Sequence, residues 1–465
     1  MFGSPTAIAF GTDGWRADMR KEFNDKNVLR VASGIAQYLK KANGSGKVAV
    51  GYDTRKNSGY FAELIGGVLE HYGFEVDESD GAVPTPALAY FTTQGCIAGV
   101  MVTASHNPTQ YNGIKFVTEN GAPSPKEVTS QIEALIPRSQ DSYNYEKKPV
   151  RMKDAYLNAL ESHIDLSKVV GMHVAVDVMF GTSSGYLAQL LATHGANVDE
   201  LHNTKGLDIG DPAPEPRQDR LEELKNTIIE RSADFGIAND GDADRIAVID
   251  AQGNYYGANQ IGLVIADYLY GVKGAKGPLA KSISTTSALE RLAQHYGAKL
   301  IEGGVGFKNL QGESGRPVIA VEESGGIGFD WWVPNKDGIA SAAVLCEAVS
   351  VQGKPLTQLM QETSQKYGYG DHLVYMFKKE EKTVTMLESL KKDSARAEFG
   401  GRKIVRRSEM DGIKLYLDDG SWVLVRESHT EPLVRVYIES KSKKETQELM
   451  GAVNRFFGEE LMYKS

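Results

Sequence analysis

Four segments of the sequence combine residue types and spacing that could carry out chemistry, and the most distinctive of them is acidic. Asp240, Asp242 and Asp244 occupy alternate positions after an apolar strand pattern. Crowded carboxylates repel one another unless a hard divalent cation neutralises them, so this segment predicts a metal site. A calcium EF-hand is excluded, because its required glycine and glutamate are replaced by Arg245 and Ala251. A solvated acidic turn is the alternative reading.

A second segment offers a serine nucleophile. Thr103–Pro108 reads Thr-Ala-Ser-His-Asn-Pro and follows another apolar strand pattern, where a serine such as Ser105 is well placed to attack a substrate. An acyl-transfer elbow is disfavoured, because Thr103 and Asn107 replace the glycines of the G-x-S-x-G motif. His106 directly follows the serine, which is a poor geometry for a serine–histidine pair. Taken alone, the segment also fits an ordinary strand-to-loop turn.

Two further segments have the composition of ligand-binding turns. Glu322, Glu323 and Ser324 precede two glycines, and carboxylate and hydroxyl groups on such a turn suit the vicinal hydroxyls of a sugar. Residues 426–435 contain two arginines and two hydroxyl residues, which together with turn N–H groups could cradle a phosphate. A plain turn and ordinary surface ion pairs are the respective alternatives.

A weak internal repeat of strand, loop, helix, glycine and strand positions these segments. In each unit a glycine stands where a helix pattern ends and the backbone needs a left-handed residue: Gly73, Gly195 and Gly297. The second unit predicts a helix that starts at Ser183. Strands alternating with helices predict mixed or mainly parallel sheets with helices on their faces and active loops beyond the strand ends. After about Tyr369 a helix and short strands indicate a smaller α+β domain.

The predicted fold class is therefore α/β with four domains. Three related mixed-sheet domains comprise residues 1–145, 146–255 and 256–368, and the α+β domain comprises residues 369–465. The length of 465 residues excludes a single small module, and 41% apolar residues suffice for several packed cores.

Charge and segment composition exclude several classes of function. Lys+Arg 52 against Asp+Glu 61 gives a net charge of −9, which excludes a general positive field for nucleic acid or anionic lipid. No stretch approaches the roughly 18 apolar residues of a membrane span, so we expect a cytoplasmic protein. Cys96 and Cys346 are too few for a disulfide framework, and we expect both to be buried.

Together, these segments resemble the motifs of the α-D-phosphohexomutase superfamily, which includes phosphoglucomutase and phosphomannomutase. The resemblance begins at Phe10–Arg16 (Phe-Gly-Thr-Asp-Gly-Trp-Arg), follows the motifs in family order and spans the whole chain. It implies four domains around a central cleft. It also implies transfer of phosphate between O1 and O6 of a hexose, through a phosphoserine and a hexose 1,6-bisphosphate.

The resemblance also assigns roles to individual residues. It implies a phosphoserine at Ser105 and a Mg²⁺ ion held by Asp240, Asp242 and Asp244. Reaction-centre positions correspond to Arg16, His106, Lys115, Arg245 and Lys336, with Lys115 as the candidate general acid/base. Sugar contacts correspond to Glu322 and Ser324. Phosphate contacts correspond to Arg426, Ser428, Thr430 and Arg435.

We expect glucose 1-phosphate and glucose 6-phosphate as substrates, with glucose 1,6-bisphosphate as activator and intermediate. Gly326 stands where several mannose-capable relatives carry histidine, and His429 stands where glycine or asparagine is more frequent; the first departure favours glucose. The alternatives are a phosphomannomutase, a phosphoglucosamine mutase, a phosphopentomutase or a glucose 1,6-bisphosphate synthase. A catalytically silent sugar-phosphate sensor is the non-enzyme alternative. We expect small-molecule sugar phosphates as ligands, neither nucleic acid nor membrane as partner, and a monomer or homodimer.

Overall fold

In a computed structural model, the chain forms four successive sheets with helices packed against them. The structure describes residues 8–11, 13–310, 315–393, 395–428 and 432–458. Within these ranges lie 13 α-helices and 21 strands, numbered in chain order below. Three mixed α/β sheets and a C-terminal antiparallel sheet confirm the predicted fold class. No helix in the described ranges is both long and apolar enough to cross a membrane.

The first sheet has helices on both faces and carries the serine segment. Its elements are β1 (Trp15–Asp18), α1 (Asp25–Asn43), β2 (Lys47–Tyr52), α2 (Ser58–His71), β3 (Glu75–Ser79), α3 (Thr85–Thr92), β4 (Ala98–Val102), β5 (Tyr111–Thr118), α4 (Lys126–Ala134) and β6 (Pro149–Val150). The strand order is β1-β5-β4-β2-β3-β6. Strands β2 and β4 are parallel neighbours, so the loops that follow them leave the same edge of the sheet. Strand β6 joins this sheet although it falls in the segment predicted as the second domain.

The second sheet carries the acidic segment. Its elements are α5 (Lys153–Glu161), β7 (His173–Asp177), α6 (Tyr186–Thr193), β8 (Asn197–Leu201), α7 (Glu222–Arg231), β9 (Phe235–Asn239), β10 (Ile246–Asp250) and β11 (Tyr255–Tyr256). The strand order is β11-β10-β9-β7-β8, and β9 and β10 are antiparallel neighbours. The short segment between those two strands therefore forms a tight connection that holds all three aspartates.

The third sheet carries the Glu322–Ser324 turn. Its elements are α8 (Ala258–Asp267), β12 (Leu279–Ser282), α9 (Ala288–Tyr296), β13 (Leu300–Gly303), β14 (Ile319–Val321), β15 (Ile327–Phe329), α10 (Gly338–Gln352) and α11 (Leu356–Tyr367). The strand order is β13-β12-β14-β15. The turn joins β14 to the antiparallel β15.

The fourth sheet is antiparallel throughout its described strands and carries the arginine segment. Its elements are β16 (Asp371–Lys378), α12 (Glu381–Lys392), β17 (Glu398–Phe399), β18 (Arg402–Ser408), β19 (Ile413–Leu417), β20 (Trp422–Glu427), β21 (Leu433–Ser440) and α13 (Lys443–Phe457). The strand order is β16-β21-β20-β19-β18-β17. In the β20–β21 pair, Arg426 lies directly opposite Arg435.

Local sequence accounts for several of these boundaries. Gly73, Gly195 and Gly297 follow α2, α6 and α9 with φ of 84°, 83° and 65°, which confirms the predicted left-handed positions. The predicted start of α6 at Ser183 is wrong. Gly185 adopts φ 71°, a conformation outside the helix, and the helix begins at Tyr186.

A shared hydrophobic core joins the first three sheets. One cluster of buried residues combines side chains of the first three sheets, including Leu88 of α3, Leu187 of α6 and Val344 of α10. A separate cluster fills the fourth domain. Both cysteines are buried, as expected. The first three sheets therefore form a shared scaffold, and the fourth has its own core.

Candidate active site

The predicted serine lies at the boundary between the first and second sheets. Ser105 follows β4, is fully buried and has a φ of 52°, a left-handed conformation that few residues other than glycine adopt. Its Oγ donates a hydrogen bond of 2.6 Å to Asp240 Oδ2. The Nδ1 atom of His106 lies 3.3 Å from the same Oγ. The backbone conformation thus turns the hydroxyl toward the acidic segment of the second sheet.

The acidic segment forms a compact group of carboxylates. The side chains of Asp240, Asp242 and Asp244 are fully buried, and one oxygen of each lies within 4.8 Å of the others. Asp240 Oδ1 accepts hydrogen bonds from the backbone N–H groups of Asp244 and Arg245. Asp242 Oδ1 and Asp244 Oδ1 are buried with no hydrogen-bond partner among the described residues. Buried oxygen atoms that still need partners fit a hard divalent cation such as Mg²⁺.

The pKa shifts of two of these aspartates also indicate a site that needs positive charge. Burial raises the pKa of Asp240, and the charges of Asp244 and Asp242 raise it further. Burial would also raise the pKa of Asp242, but the ammonium of Lys115 is the largest of the influences that hold it below its ordinary value. Asp240 and Asp242 therefore need nearby positive charge to be ionised together.

Two lysines supply positive charge beside the aspartates. Lys115 on β5 has a side chain that is 4% exposed, and its Nζ lies 2.8 Å from Asp242 Oδ2 and 2.9 Å from Asp244 Oδ2. Lys336, just before α10, places its Nζ 3.3 Å from Asp244 Oδ2. Asp13 Oδ2 lies 2.8 Å from Lys115 Nζ and 3.7 Å from Lys336 Nζ. Burial would lower the pKa of Lys115, but these carboxylates raise it well above its ordinary value.

A cleft of about 240 Å³ opens above this buried group and draws side chains from all four domains. The predicted residues that line it are Arg16, His106, Arg245, Glu322, Ser324, Lys336, Arg426, Ser428 and Arg435. Burial lowers the pKa of His106 well below its ordinary value, and the charges of Arg245 and Arg16 lower it further. The imidazole is thus neutral in a cationic cleft, which suits phosphate.

The cleft wall contributed by the third sheet is attached to the acidic segment. Glu322 Oε1 accepts a 2.8 Å hydrogen bond from the N–H of Gly306, while the buried hydroxyl of Ser324 has no partner among the described residues. The carbonyl of Gly325 accepts from the N–H of Ile246, the first residue of β10. The Glu322–Ser324 turn and the acidic segment therefore keep a fixed spacing.

The fourth domain contributes the arginines. Arg426 lies near the end of β20, its side chain is 5% exposed, and its Nε lies 3.0 Å from Asp411 Oδ1. Asp411 Oδ2 accepts from the N–H of Val305, which also lines the cleft. Ser428 and Arg435 lie on the same wall. The predicted contact Thr430 and its neighbour His429 lie outside the described residues.

The structure thus brings the predicted residues it describes to one place, although the role of each stays a prediction. Two further residues that contact the site, Thr85 and Asp13, were given no role from the sequence. Thr85 at the start of α3 donates from Oγ1 to Asp242 Oδ2 at 2.5 Å, across 157 positions of sequence. Asp13 lies in the motif Phe10–Arg16, but only the structure shows that it pairs with both lysines. The sole signal for Thr85 was its place between two prolines at a helix start.

Family profiles and known proteins match this chain along nearly its whole length. Profiles of phosphoglucomutase/phosphomannomutase alpha/beta/alpha domains I, II and III match residues 7–142, 154–253 and 257–367, and the C-terminal domain profile matches residues 376–455. The phosphoglucomutase/phosphomannomutase of Thermococcus kodakarensis is 30% identical over 458 residues, covering 95% of this chain and 96% of the relative. The phosphoglucosamine mutase of Bacillus licheniformis is 30% identical over 465 residues, covering 96% and 97%.

Solved structures show the same fold along nearly the whole chain. A crystal structure from Thermus thermophilus superposes with a TM-score of 0.85 at 29% identity, covering 97% of this chain and 99% of the other. A phosphoglucomutase from Paramecium in an open form superposes with a TM-score of 0.82 at 21% identity, covering 98% and 97%, which shows the fold alone. On this evidence the chain belongs to the phosphoglucomutase/phosphomannomutase family of phosphohexomutases.

Proposed function

We propose that this enzyme interconverts glucose 1-phosphate and glucose 6-phosphate through a phosphoserine at Ser105. The observation that carries the proposal is the 2.6 Å hydrogen bond from Ser105 Oγ to Asp240 Oδ2, inside a buried cluster suited to a divalent cation. A serine hydroxyl in that position can exchange a phosphoryl group at an acidic metal centre.

In the first half-reaction, the bond between Ser105 Oγ and phosphorus breaks while a bond forms from phosphorus to O6 of glucose 1-phosphate. The neutral imidazole of His106, whose Nδ1 lies 3.3 Å from Ser105 Oγ in the cleft, takes the proton that leaves O6 of the sugar. The carboxylates keep Lys115 protonated, and we assign it as the acid that gives a proton to the serine oxygen. The product is glucose 1,6-bisphosphate.

In the second half-reaction, the bisphosphate turns over and returns its other phosphoryl group to Ser105. The bond from O1 to phosphorus breaks and O1 takes the proton held by His106, while the bond from phosphorus to Oγ forms. The serine proton leaves Oγ along its hydrogen bond to Asp240 Oδ2 as Oγ attacks, and Lys115 regains the proton that it gave up in the first half-reaction. Glucose 6-phosphate then leaves.

A Mg²⁺ ion held by Asp240, Asp242 and Asp244 would neutralise charge on the transferring group. Arg245 lies with its Nε 3.9 Å from Asp240 Oδ2 and 3.9 Å from Asp244 Oδ1, and adds a fixed positive charge from the cleft side. Two solved structures of a similar enzyme support the proposed metal ion and the proposed bisphosphate intermediate. An Aspergillus fumigatus N-acetylphosphoglucosamine mutase has been solved with GlcNAc-6P and magnesium, and a serine-to-alanine variant of that enzyme has been solved with glucose 1,6-bisphosphate.

Other side chains of the cleft are assigned to the sugar ring and to the phosphate that is not transferred. We assign Glu322 and Ser324 to the sugar hydroxyls, because both line the cleft and the Ser324 hydroxyl has no partner among the described residues. Arg16, His106 and Lys336 complete the reaction centre, and Arg426, Ser428, Thr430 and Arg435 take the phosphate that is not transferred. One phosphate-binding wall then serves both orientations of the bisphosphate.

A coupled assay of the purified protein tests the choice of sugar. Glucose 1-phosphate, mannose 1-phosphate and glucosamine 1-phosphate are each supplied with Mg²⁺ and a trace of the matching bisphosphate. We expect the highest kcat/KM for glucose 1-phosphate and no net release of bisphosphate. A higher kcat/KM for either other sugar would replace glucose with that sugar, and net release of bisphosphate would make the protein a synthase.

A further inference from the structure

A buried arginine, Arg55, binds the backbone at Ser105 and just after it. Arg55 follows β2, and its side chain is completely buried. Its Nη2 donates to the carbonyl oxygens of Ser105 at 2.6 Å and Asn107 at 2.7 Å. Its Nη1 donates to the carbonyl oxygens of Pro108 at 3.0 Å and Tyr111 at 3.1 Å. One guanidinium therefore binds four carbonyl groups in and just after the serine segment.

Asp53 fixes this arginine and also reaches the serine by a second route. Its Oδ2 lies 3.2 Å from Arg55 Nε, and its Oδ1 accepts from the backbone N–H of Arg55 at 3.0 Å. Asp53 Oδ2 also accepts from Thr103 Oγ1 at 2.6 Å, and Thr103 Oγ1 accepts from the N–H of Ser105 at 2.8 Å. Both the N–H and the carbonyl of Ser105 are thereby tied to one buried ion pair.

This arrangement depends on arginine rather than on positive charge alone. A guanidinium presents five N–H donors in a rigid plane, whereas an ammonium presents three donors around a single atom. An ammonium group at position 55 cannot reach four carbonyl oxygens that Arg55 reaches from two separate nitrogens. The left-handed conformation of Ser105, with φ 52°, is the conformation that these bonds must maintain.

We propose that Arg55 is a positioning residue that holds the Ser105 backbone so that Oγ faces the acidic cluster. The inference rests on the proposed function of Ser105 as phosphoryl carrier. Arg55 does not line the cleft, where sugar and phosphate are expected to bind. Loss of its bonds should therefore slow phosphoryl transfer to and from Ser105 and leave the affinity for sugar phosphates unchanged.

The test compares Arg55→Lys and Arg55→Ala with the parent. Ser105 phosphorylation by glucose 1,6-bisphosphate is followed by intact mass, substrate affinity by calorimetry, and folding by thermal unfolding. Since a 1 Å misplacement of a reacting group can cost on the order of 100-fold in rate, we expect a loss of that size in Arg55→Ala. The kcat should fall while KM stays near the parental value. Added guanidinium ion should restore part of the Arg55→Ala rate.

Arg30→Lys is the matched control. Arg30 is also buried and donates to the carbonyl of Pro137 and to Asn27 Oδ1, and none of these three residues lines the cleft. This variant should phosphorylate Ser105 at the parental rate. Asp53→Asn keeps the shape of the ion pair without its charge and should slow the transfer in the same direction by a smaller factor.

Several results would overturn the assignment. Parental phosphorylation rates in folded Arg55→Ala, or an equal loss of sugar-phosphate affinity, would show that the arginine does not position Ser105. If the Arg55 variants do not fold and Asp53→Asn folds with a parental rate, Arg55 is a determinant of the fold only. Failure of the proposed function itself shows separately, as a parent protein that takes no phosphoryl group on Ser105.

Discussion

Removal of the Lys115 ammonium should cost this protein far more stability than removal of a lysine from an exposed ion pair. The Lys115 side chain is 4% exposed, and its Nζ lies within 2.9 Å of three carboxylates, those of Asp13, Asp242 and Asp244. Loss of one partner from a buried pair typically costs about 3–5 kcal/mol, because the remaining charge stays buried without compensation. In Lys115→Met we expect the free energy of unfolding to fall by about that amount in the presence of chelator.

Urea unfolding at about pH 7.5 measures this difference, with Lys47→Met as the control. Lys47 contacts Glu75 and Asp77 at the surface and its side chain is 36% exposed, so its removal should cost about 1 kcal/mol or less. Added Mg²⁺ should restore part of the stability of Lys115→Met, because its charge replaces the lost ammonium. A loss below about 1 kcal/mol in chelator would refute the view that Lys115 neutralises the acidic cluster.

The pH dependence of the difference follows from the same contacts. The pKa of Asp242 lies below its ordinary value, despite burial, chiefly because of Lys115. A lowered carboxyl pKa contributes stability that is present above the unfolded pKa of about 3.9 and is lost as the pH falls through the folded value. The parent should therefore lose its advantage over Lys115→Met below about pH 4.

Three further outcomes are expected. Asp242→Asn should remain folded but bind Mg²⁺ more weakly in calorimetry and lose most turnover, and full activity in excess chelator would contradict the metal assignment. Arg426→Ala should raise KM for glucose 1-phosphate and glucose 6-phosphate together by roughly 10- to 150-fold, the loss of one charge-assisted contact, and a rise for one substrate only would contradict a shared phosphate wall. A hydrogen bond to Asp177 raises the pKa of His202 to about 9. The stability lost in His202→Asn should therefore be largest below about pH 6.5 and should vanish as the pH rises past about 9 in thermal unfolding; a pH-independent difference would contradict the pair.

The acidic cluster was predictable from sequence because its geometry is local. Asp240, Asp242 and Asp244 lie in one short connection between neighbouring strands, so their spacing alone brings their carboxylates together. The glycines after α2, α6 and α9 were predictable for the same reason, since a helix end requires a left-handed residue at that position.

The residues that position the site, such as Arg55 and Thr85, could not be predicted from the sequence, because they act through contacts between distant segments. Arg55 reaches the carbonyl of Ser105 across 50 positions, and Thr85 reaches Asp242 across 157. Neither residue type is unusual at a strand or helix end, so only the parallel pairing of β2 with β4 and the packing of the first two sheets bring them to the site. Lys115 was matched through resemblance, but its three carboxylate partners come from two other segments of the chain.

The most direct test of the central claim is the intact mass of the protein before and after exposure to glucose 1,6-bisphosphate with Mg²⁺. Starting from dephosphorylated protein, we expect the parent to gain one phosphoryl group and Ser105→Ala to gain none and to have no mutase turnover. Substantial mutase turnover by Ser105→Ala, or a phosphoryl group on another residue of the parent, would contradict the account.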